Sequence, residues 1–396
     1  MIKILTVIGA RPQIIKAAAI SRAVRERLRV GELCSGMRFA DEVTEKILHT
    51  GQHYDENMSA VFFDELGIPQ PDYNLGVGSG RHGEQTAKMI AGIEAVLMKE
   101  HFDGILLYGD TNSTLAGAVA ASKLHVPIFH VEAGLRSHNM AMPEEVNRIV
   151  CDQLSSILFP PTETGMRNLM EEGFLKSKAR FKNGMDRRVV NSGDVMYDNS
   201  LYFSELAEQR IDIIQRLGLT KGRYVLATVH RDNNTDDPKR LTEIFRALID
   251  ISDQNETDIV LPLHPRTAKL MEKNLEEKVY RNLIASPLIK MIPPASFLEM
   301  VMLEKHAKLV MTDSGGVQKE AFFFERPCVI LRHETEWTEI VDYGAGIIAD
   351  ADYRRIMEGY QTLVGQKVTF PRMFGDGKAA EHILKAIVEY LHDVKK

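Results

Sequence analysis

Three acidic residues in the first half of the chain occupy positions that suit acid/base chemistry. Asp110 follows the apolar run 105–108, Glu132 follows the run 126–131, and Glu144 stands at a predicted helix start. Neighbouring carboxylates raise one another's affinity for protons, which is the property that general acid/base catalysis requires. Glu144 has a second explanation, because acids in the first turn of a helix also complement the helix dipole.

A second group of residues offers positive charge or neutral hydrogen-bond donors. It consists of Arg11 and Lys16 in the first half and of His230 and His264 in the second. Such groups bind anions, and ligands of open parallel sheets bind beside the carboxyl ends of the strands. Each of these residues could by itself be an ordinary surface residue. Together they predict a catalytic first half and an anion-binding second half.

A glycine-containing turn in the second half is the strongest candidate for phosphate binding. Ser314, Gly315 and Gly316 follow an apolar run and open a predicted helix, where a phosphate could approach backbone N–H groups. Glu320, about two turns on, could accept hydrogen bonds from ribose hydroxyls. An ordinary strand-to-helix turn with a serine or aspartate N-cap explains the same residues equally well.

Several other kinds of site are disfavoured. No Walker A loop is present and no GxGxxG follows the first strand, so ATP and NAD are disfavoured and no cofactor is expected. The neighbouring histidines His125, His130 and His138 lack the spacing of metal ligands, so we predict no metal site and interpret most of them as structural. The three cysteines show no CxxC pattern, which is typical of free thiols in a reducing compartment.

Two series of short β-branched runs, separated by helical patterns, must position these residues. The first series is 2–8, 105–108, 126–131, 156–159 and 188–191. The second is 224–229, 258–263, 289–292, 309–312 and 328–331. The repeated alternation predicts an α/β protein with two Rossmann-like domains, each built on a parallel sheet. We place the first domain at 1–193 and the second at 194–377, followed by a closing helix at 378–396.

Overall composition narrows the possible partners. The chain has 396 residues, of which 44% are hydrophobic, and a formal net charge of −6. This balance lacks the basic excess of nucleic-acid-binding proteins. No apolar run approaches the length needed to span a membrane, and the apolar N-terminal run is too short for a signal peptide. We therefore predict a cytoplasmic protein that binds neither nucleic acid nor a membrane.

The motifs, in this order, closely resemble those of the non-hydrolysing UDP-N-acetylglucosamine 2-epimerase family. The matching stretches are GARPQIIK at 9–16, TGQHYDENM at 50–58, GDTNSTLAGA at 109–118, HVEAGLRS at 130–137, MPEEVNR at 142–148, TDSGGVQKEA at 312–321 and GDGKA at 375–379. The resemblance implies a fold of the glycosyltransferase B type, in which the two domains face each other across a cleft. It also implies that the closing helix packs on the first domain and that the protein is a homodimer.

The resemblance further implies a reaction and the residues that carry it. UDP-N-acetylglucosamine and UDP-N-acetylmannosamine are interconverted by anti elimination of UDP, which gives a 2-acetamidoglucal, and by re-addition. Asp110, Glu132 and Glu144 would be the acids around the sugar, with His230 at the diphosphate completing the catalytic set. Glu320 would hold the ribose. The remaining contacts to the substrate would come from Arg11, Lys16, Arg148, His264, Ser314, Gly315 and Gly316.

The sequence departs from the common family pattern in several places. The stretches 136–142 and 335–339 look more like the branch that acts on UDP-2,3-diacetamido-2,3-dideoxyglucuronic acid, which is therefore the alternative substrate. Stretch 231–234 lacks the usual Arg-Glu pair, and Lys319 replaces a common acid. Residues 31–42 and 182–186 resemble insertions. A UDP-sugar glycosyltransferase fits less well, because three carboxylates suit elimination and re-addition better. A second rival is a hydrolysing 2-epimerase, in which water intercepts the glycal, and release of free N-acetylmannosamine would identify it.

Overall fold

A computed structural model describes residues 1–26, 43–52, 67–175 and 186–394. The predicted insertion at 31–42 lies outside these residues, as do 182–185 of the second insertion and most of the 50–58 motif. The chain divides into two compact units. The first comprises Met1–Asn199 and Arg372–Lys396, and the second comprises Ser200–Pro371.

The first unit is built on a parallel sheet whose seven described strands have the order β3-β2-β1-β4-β5-β6-β7. Its strands are β1 (Ile2–Ile8), β2 (Val43–His49), β3 (Tyr73–Asn74), β4 (Gly104–Tyr108), β5 (Ile128–Val131), β6 (Ile157–Phe159) and β7 (Arg188–Val189). Its helices are α1 (Arg11–Glu26), α2 (His82–Lys99), α3 (Asn112–Lys123), α4 (Pro143–Leu154), α5 (Glu163–Glu171) and the closing α16 (Ala379–Val394). Helix α6 (Val195–Arg210) begins in this unit and ends in the second.

The second unit has its own parallel sheet, with six described strands in the order β10-β9-β8-β11-β12-β13. These are β8 (Tyr224–Thr228), β9 (Asp258–Pro262), β10 (Ile289–Ile292), β11 (Leu309–Thr312), β12 (Cys328–Ile330) and β13 (Gly346–Ile348). The helices are α7 (Ile213–Arg216), α8 (Asp232–Thr235), α9 (Pro238–Asn255), α10 (Pro265–Asn274), α11 (Glu277–Ala285), α12 (Phe297–His306), α13 (Gly315–Phe323), α14 (Thr338–Asp342) and α15 (Tyr353–Gly365).

The central strands form because they are apolar along their whole length and are covered on both faces, as parallel sheets are. Every residue of β4 and of β8 is buried. The predicted runs correspond to observed strands, but β2, β3 and β13 were missed. Strand β2 was missed because it contains Glu45, whose carboxylate accepts hydrogen bonds of 2.6 Å from Thr6 and from Ser21. A polar residue satisfied in this way breaks the apolar pattern without breaking the strand.

Strand order places the candidate residues at two equivalent positions. In each sheet the order reverses between the first strand and the fourth, that is between β1 and β4 and between β8 and β11. Loops leaving such a pair of parallel strands diverge, and the gap between them is where these folds bind ligands. Asp110 follows β4 in the first unit, while His230 and Ser314 follow β8 and β11 in the second.

No helix within the described part of the chain is both long enough and apolar enough to cross a membrane.

Candidate active site

Two acid–cation pairs meet at the carboxyl end of β4. Lys16 of α1 forms an ion pair with Glu132, and both side chains are largely buried. Arg148 of α4 donates from Nη2 to Oδ2 of Asp110 at 2.6 Å. The intervening Gly109 is close to the first pair, since a Cβ added there would lie 3.2 Å from Lys16 Nζ and 3.3 Å from Glu132 Oε2. The structure therefore brings four of the predicted residues together.

The environment of Asp110 tunes its carboxyl group. Burial raises the pKa of Asp110 above its ordinary value, and the negative charge of Glu132 adds to this effect. The positive charges of Arg148 and Lys16 oppose it but do not cancel it. The carboxyl group consequently binds a proton more readily than a solvated aspartate, which brings its pKa closer to neutral pH, as acid/base catalysis requires.

The backbone turns sharply where both acids leave the sheet. Gly109 has φ +61°, and Glu132 has φ +71°, a left-handed conformation that is costly for a residue with a side chain. Backbone hydrogen bonds hold the second turn, because the N–H groups of Glu132 and Ala133 both donate to the Phe159 carbonyl, at 3.0 and 3.2 Å. Strain of this kind concentrates at functional sites, and here it directs the Glu132 side chain towards Lys16.

Helix α4 carries two adjacent acids in different environments. Pro143 occupies the first helical position and Glu144 is exposed in the first turn. Glu145 is instead buried, where it accepts hydrogen bonds from the backbone N–H groups of Ser137 and His138 and from Arg148 at 2.7 Å. Burial works against ionisation of Glu145, but these hydrogen bonds lower its pKa overall.

The structural role of Glu145 was not predicted from the sequence. The available signal was its spacing of three residues from Arg148, which places both on one helix face. Glu144 lies four residues from Arg148 and satisfies the same rule, so the spacing does not distinguish them.

Gln13 is a second residue that sequence analysis missed. It is buried in α1, and its Oε1 accepts hydrogen bonds from the backbone N–H groups of Gly9 and Ala10, at 2.9 and 3.2 Å. Its Nε2 donates to the Tyr108 carbonyl at 2.9 Å. Gln13 thereby ties the end of β1 to the end of β4. Arg11, by contrast, has an exposed side chain at the first position of α1.

In the second unit, His230 is held by a buried aspartate. Asp313 is fully buried, and its Oδ1 lies 2.9 Å from Nδ1 of His230, whose side chain is 51% exposed. Asp313 also accepts hydrogen bonds from the backbone N–H groups of His230 and Arg231 and from Asn234 Nδ2 at 3.1 Å. Burial opposes ionisation of Asp313, but the interactions with His230 dominate among the causes that lower its pKa. The imidazole is thus anchored while its outer edge stays accessible.

The turn at 314–316 has features of a phosphate-binding turn and also of an ordinary strand-to-helix turn with an N-cap. Ser314 is the N-cap of α13, and its Oγ accepts a hydrogen bond from Val317 N at 3.5 Å. Gly315 and Gly316 form the first turn of α13, so backbone N–H groups at the positive end of the helix carry no side chain over them. A Cβ added at Gly315 would lie 3.3 Å from Oε2 of Glu336. The two carboxylate oxygens of Glu336 each accept a hydrogen bond from Arg332.

The remaining predicted residues lie on helices of the second unit. His264 is the exposed N-cap of α10, and its Nδ1 accepts a hydrogen bond from Arg266 N at 3.3 Å. Glu320 is half-buried in α13. The unusual Lys319 is buried beside it, with Nζ 4.2 Å from the ring centre of Trp337. Two departures from the family pattern, at 319 and at 335–339, therefore contact each other.

Within the described ranges, no three His, Cys, Asp or Glu side chains are grouped so that they could hold a metal ion.

Comparisons with known proteins show the family to which the chain belongs. Residues 37–388 match the family model described as UDP-N-acetylglucosamine 2-epimerase. The UDP-2,3-diacetamido-2,3-dideoxy-D-glucuronate 2-epimerase of Pseudomonas aeruginosa is 47% identical over 98% of this chain and 99% of its own. The UDP-N-acetylglucosamine 2-epimerase of Methanocaldococcus jannaschii is 39% identical, with 97% and 98% covered.

A solved structure supports the same assignment. The crystal structure of the Methanocaldococcus jannaschii enzyme in complex with UDP-GlcNAc and UDP superposes with a TM-score of 0.78 at 38% identity, covering 98% of this chain and all of that one. The predicted fold class of two parallel-sheet α/β domains is confirmed. Motif order, matched length and fold all lead to one conclusion: the chain is an enzyme that belongs to the UDP-N-acetylglucosamine 2-epimerase family.

Proposed function

We propose that this enzyme inverts C2 of a UDP-linked 2-acetamido sugar, interconverting UDP-N-acetylglucosamine and UDP-N-acetylmannosamine. The observation that carries the proposal is the meeting of the Lys16–Glu132 and Asp110–Arg148 pairs at Gly109. Inversion requires proton removal on one face of a carbon and proton delivery on the other. Two carboxylates with different cationic partners, at the carboxyl ends of neighbouring strands, are suited to that requirement.

In the proposed reaction, a carboxylate takes the proton from C2 while the bond between C1 and the diphosphate oxygen breaks. The C2 electron pair forms the C1–C2 double bond of a 2-acetamidoglucal, and UDP carries away the electrons of the broken bond. UDP then attacks C1 again, and C2 receives a proton from the opposite face. We assign the proton transfers to Asp110 and Glu132, with Glu144 as the third acid, and place His230 at the departing diphosphate.

We assign nucleotide binding to the second unit. The N-terminus of α13, with Ser314, Gly315 and Gly316, suits a diphosphate, because its backbone N–H groups and its helix dipole both favour negative charge. Glu320, half-buried in the same helix, is assigned to the ribose hydroxyls. Additional contacts to the substrate are assigned to Arg11, Lys16, Arg148 and His264.

A second candidate substrate is UDP-2,3-diacetamido-2,3-dideoxyglucuronic acid. It is favoured by the 47% identity with the Pseudomonas enzyme named for it, against 39% for the Methanocaldococcus enzyme named for UDP-N-acetylglucosamine. The chemistry at C2 would be the same. In this case the protein would serve the synthesis of a surface polysaccharide.

An NMR time course of the purified enzyme with each UDP-sugar in D₂O tests these assignments. Elimination predicts deuterium at C2 of both epimers, because the abstracted proton exchanges with solvent from the carboxylate. A product that keeps its original C2 proton would contradict elimination. Release of free N-acetylmannosamine would identify a hydrolysing enzyme, and turnover that requires an acceptor sugar would identify a glycosyltransferase.

We also propose that the enzyme acts as a cytoplasmic homodimer. The family resemblance supports the dimer, and the buried free thiols of Cys151 and Cys328 fit a reducing compartment. Sedimentation equilibrium of the purified chain tests the first point, because a mass equal to that of one chain at micromolar concentration would contradict it.

A further inference from the structure

His130 lies at the end of β5 with both ring nitrogens against oxygen atoms. Its side chain is fully buried, Nδ1 is 2.7 Å from Asp152 Oδ1, and Nε2 is 2.8 Å from the carbonyl oxygen of Gly109. A carbonyl oxygen only accepts hydrogen bonds, so Nε2 must carry a proton. The protonation of Nδ1 depends on whether Asp152 is ionised.

Asp152 has the surroundings of an ionised carboxylate. Its Oδ2 accepts a hydrogen bond from the backbone N–H of Gly134 at 3.2 Å and lies 2.8 Å from Nη2 of Arg136. Although burial opposes ionisation, the interactions with His130 and Arg136 lower the pKa of Asp152 below its ordinary value. An ionised carboxylate is only an acceptor, so Nδ1 must also donate. A ring that donates from both nitrogens is an imidazolium cation.

A buried cation is tolerated here because its charge is balanced. Arg136 donates from Nε and Nη2 to the two oxygens of Glu172, at 2.6 and 2.8 Å. Two positive and two negative groups thus form one chain of contacts, of which Glu172 is the outermost. Cys151, which precedes Asp152 on the same helix, is also buried. Burial alone would lower the pKa of His130, but Asp152 and Cys151 raise it well above the ordinary value.

The acceptor of the Nε2 proton immediately precedes a proposed catalytic acid. Gly109 has φ +61°, and its own N–H donates to the Val131 carbonyl at 3.0 Å. On the other side, the carbonyl of Asp110 accepts a hydrogen bond from Asn147 Nδ2 at 2.8 Å. Hydrogen bonds therefore fix the peptide groups on both sides of the Asp110 Cα. His130 fixes the group that contains the Gly109 carbonyl, next to the left-handed turn.

We propose that His130 is a positioning residue which, as an imidazolium, holds the Gly109 carbonyl and so orients the Asp110 carboxylate for proton transfer at C2. The charge has a specific use, since an imidazolium has no alternative tautomer and cannot present a lone pair to the carbonyl. The orientation of Asp110 is then independent of pH across the neutral range. This inference rests on the function proposed above for Asp110.

The protonation state can be measured without any assay of activity. Two-dimensional ¹H–¹⁵N NMR of the enzyme labelled with ¹⁵N-histidine should show one histidine with protons on both ring nitrogens from pH 6 to pH 9. The signals should disappear in the variant His130→Gln, which assigns them. A neutral ring at pH 7 would overturn the proposal. This result holds even if no UDP-sugar is turned over, in which case only the proposed function fails.

Two substitutions separate positioning from simple structural support. His130→Gln keeps an N–H donor near the position of Nε2, whereas His130→Leu fills the space without a donor. Both remove the buried cation and should lower the melting temperature by similar amounts. We expect kcat to fall about a hundredfold in His130→Leu, the usual effect of misplacing a catalytic group, with KM and UDP affinity nearly unchanged. His130→Gln should recover most of that loss.

A matched control is His101→Gln, because the side chain of His101 is 87% exposed. It should leave kcat and melting temperature unchanged. Equal losses of kcat in His130→Gln and His130→Leu at equal loss of stability would overturn the positioning role. If neither variant folds, the NMR measurement on the unmodified enzyme decides.

Discussion

At the scale of single residues, one arginine forms ion pairs with two carboxylates whose pKa values are shifted in opposite directions. Arg148 contacts Asp110 at 2.6 Å through Nη2 and Glu145 at 2.7 Å through Nη1. Burial raises the pKa of Asp110, whereas the backbone donors of Ser137 and His138 help Arg148 to lower that of Glu145. Environments that separate the pKa values of neighbouring acids also separate their roles. Glu145 therefore holds Arg148 in place, and Asp110 remains available for protons.

Substitution of the proposed acids should separate chemistry from binding. We expect Asp110→Asn, Glu132→Gln and Glu144→Gln to lower kcat by roughly two to four powers of ten, the usual contribution of a positioned acid or base. UDP affinity should change little in these variants. Glu320→Gln should instead weaken UDP binding, measured by calorimetry. Glu171→Gln, on an exposed position of α5, is the control. Unchanged kcat in any acid variant would remove that residue from the catalytic set.

The raised pKa of Asp110 predicts a shift in pH dependence. As a base, Asp110 must be ionised, so kcat/KM should fall as the pH drops through its raised pKa, at higher pH than for a solvated aspartate. Removing the positive charge in Arg148→Gln should raise this pKa further and move the acidic limb to higher pH. The pH dependence of kcat/KM, measured for the unmodified enzyme and for Arg148→Gln, tests this prediction. An acidic limb at the same pH in both would show that another group is titrating.

At the scale of elements, the closing helix is attached to the first unit by its N-terminus. The carboxylate of Asp198, in α6, accepts hydrogen bonds from the backbone N–H groups of Ala379 at 3.0 Å and Ala380 at 2.8 Å. These are donors that a helix start cannot satisfy internally. Nearby, the N–H of Asp194 donates to the Phe374 carbonyl at 2.9 Å. The Asp198 side chain of α6 thus caps the N-terminus of α16.

Removing this cap should destabilise the first unit. We expect Asp198→Ala to lower the free energy of unfolding by about 1–3 kcal/mol, because two buried N–H groups lose their acceptor. Urea denaturation followed by circular dichroism measures the change. Glu389→Ala, an exposed position on α16, should have little effect. Equal effects of the two substitutions would show that the cap is unimportant.

At the scale of the whole molecule, one architecture occurs twice. The sheets β3-β2-β1-β4-β5-β6 and β10-β9-β8-β11-β12-β13 have the same strand order, with β7 added at the edge of the first. In both, polar residues follow the two strands at which the order reverses. The chemistry differs, because the first unit presents acids paired with cations and the second presents an anchored histidine and a glycine-opened helix.

This distribution of charge predicts a reaction independent of metal ions. In the proposed assignment, the negative charge of the diphosphate is stabilised by the N-terminus of α13, so we expect no requirement for a divalent ion. Turnover of the UDP-sugar should persist after dialysis against EDTA. Loss of activity that a divalent ion restores would contradict the prediction, and loss that no ion restores would indicate an unrelated effect of the chelator.

Much of the fold and the grouping of the candidate acids could be predicted from the sequence by itself. Apolar runs such as 224–229 and 309–312 identified the buried strands, because burial on both faces leaves an uninterrupted pattern. The order of motifs predicted the family and so the candidate acids. The residues after the strands, including Asp110 and Glu132, could be grouped because parallel strands end at one edge. These features are local, and a short stretch of sequence determines each of them.

Only the tertiary structure decided which polar groups lie inside and what they contact. Nothing in the order of Glu144 and Glu145 shows that the second is buried, since its donors come from a loop that precedes α4. His130 belonged to a group of histidines interpreted as mostly structural, and its two acceptors are Gly109, directly after β4, and Asp152 of α4, 21 and 22 residues away. A side chain's protonation state depends on such distant partners, because burial costs free energy that only specific hydrogen bonds and charges offset.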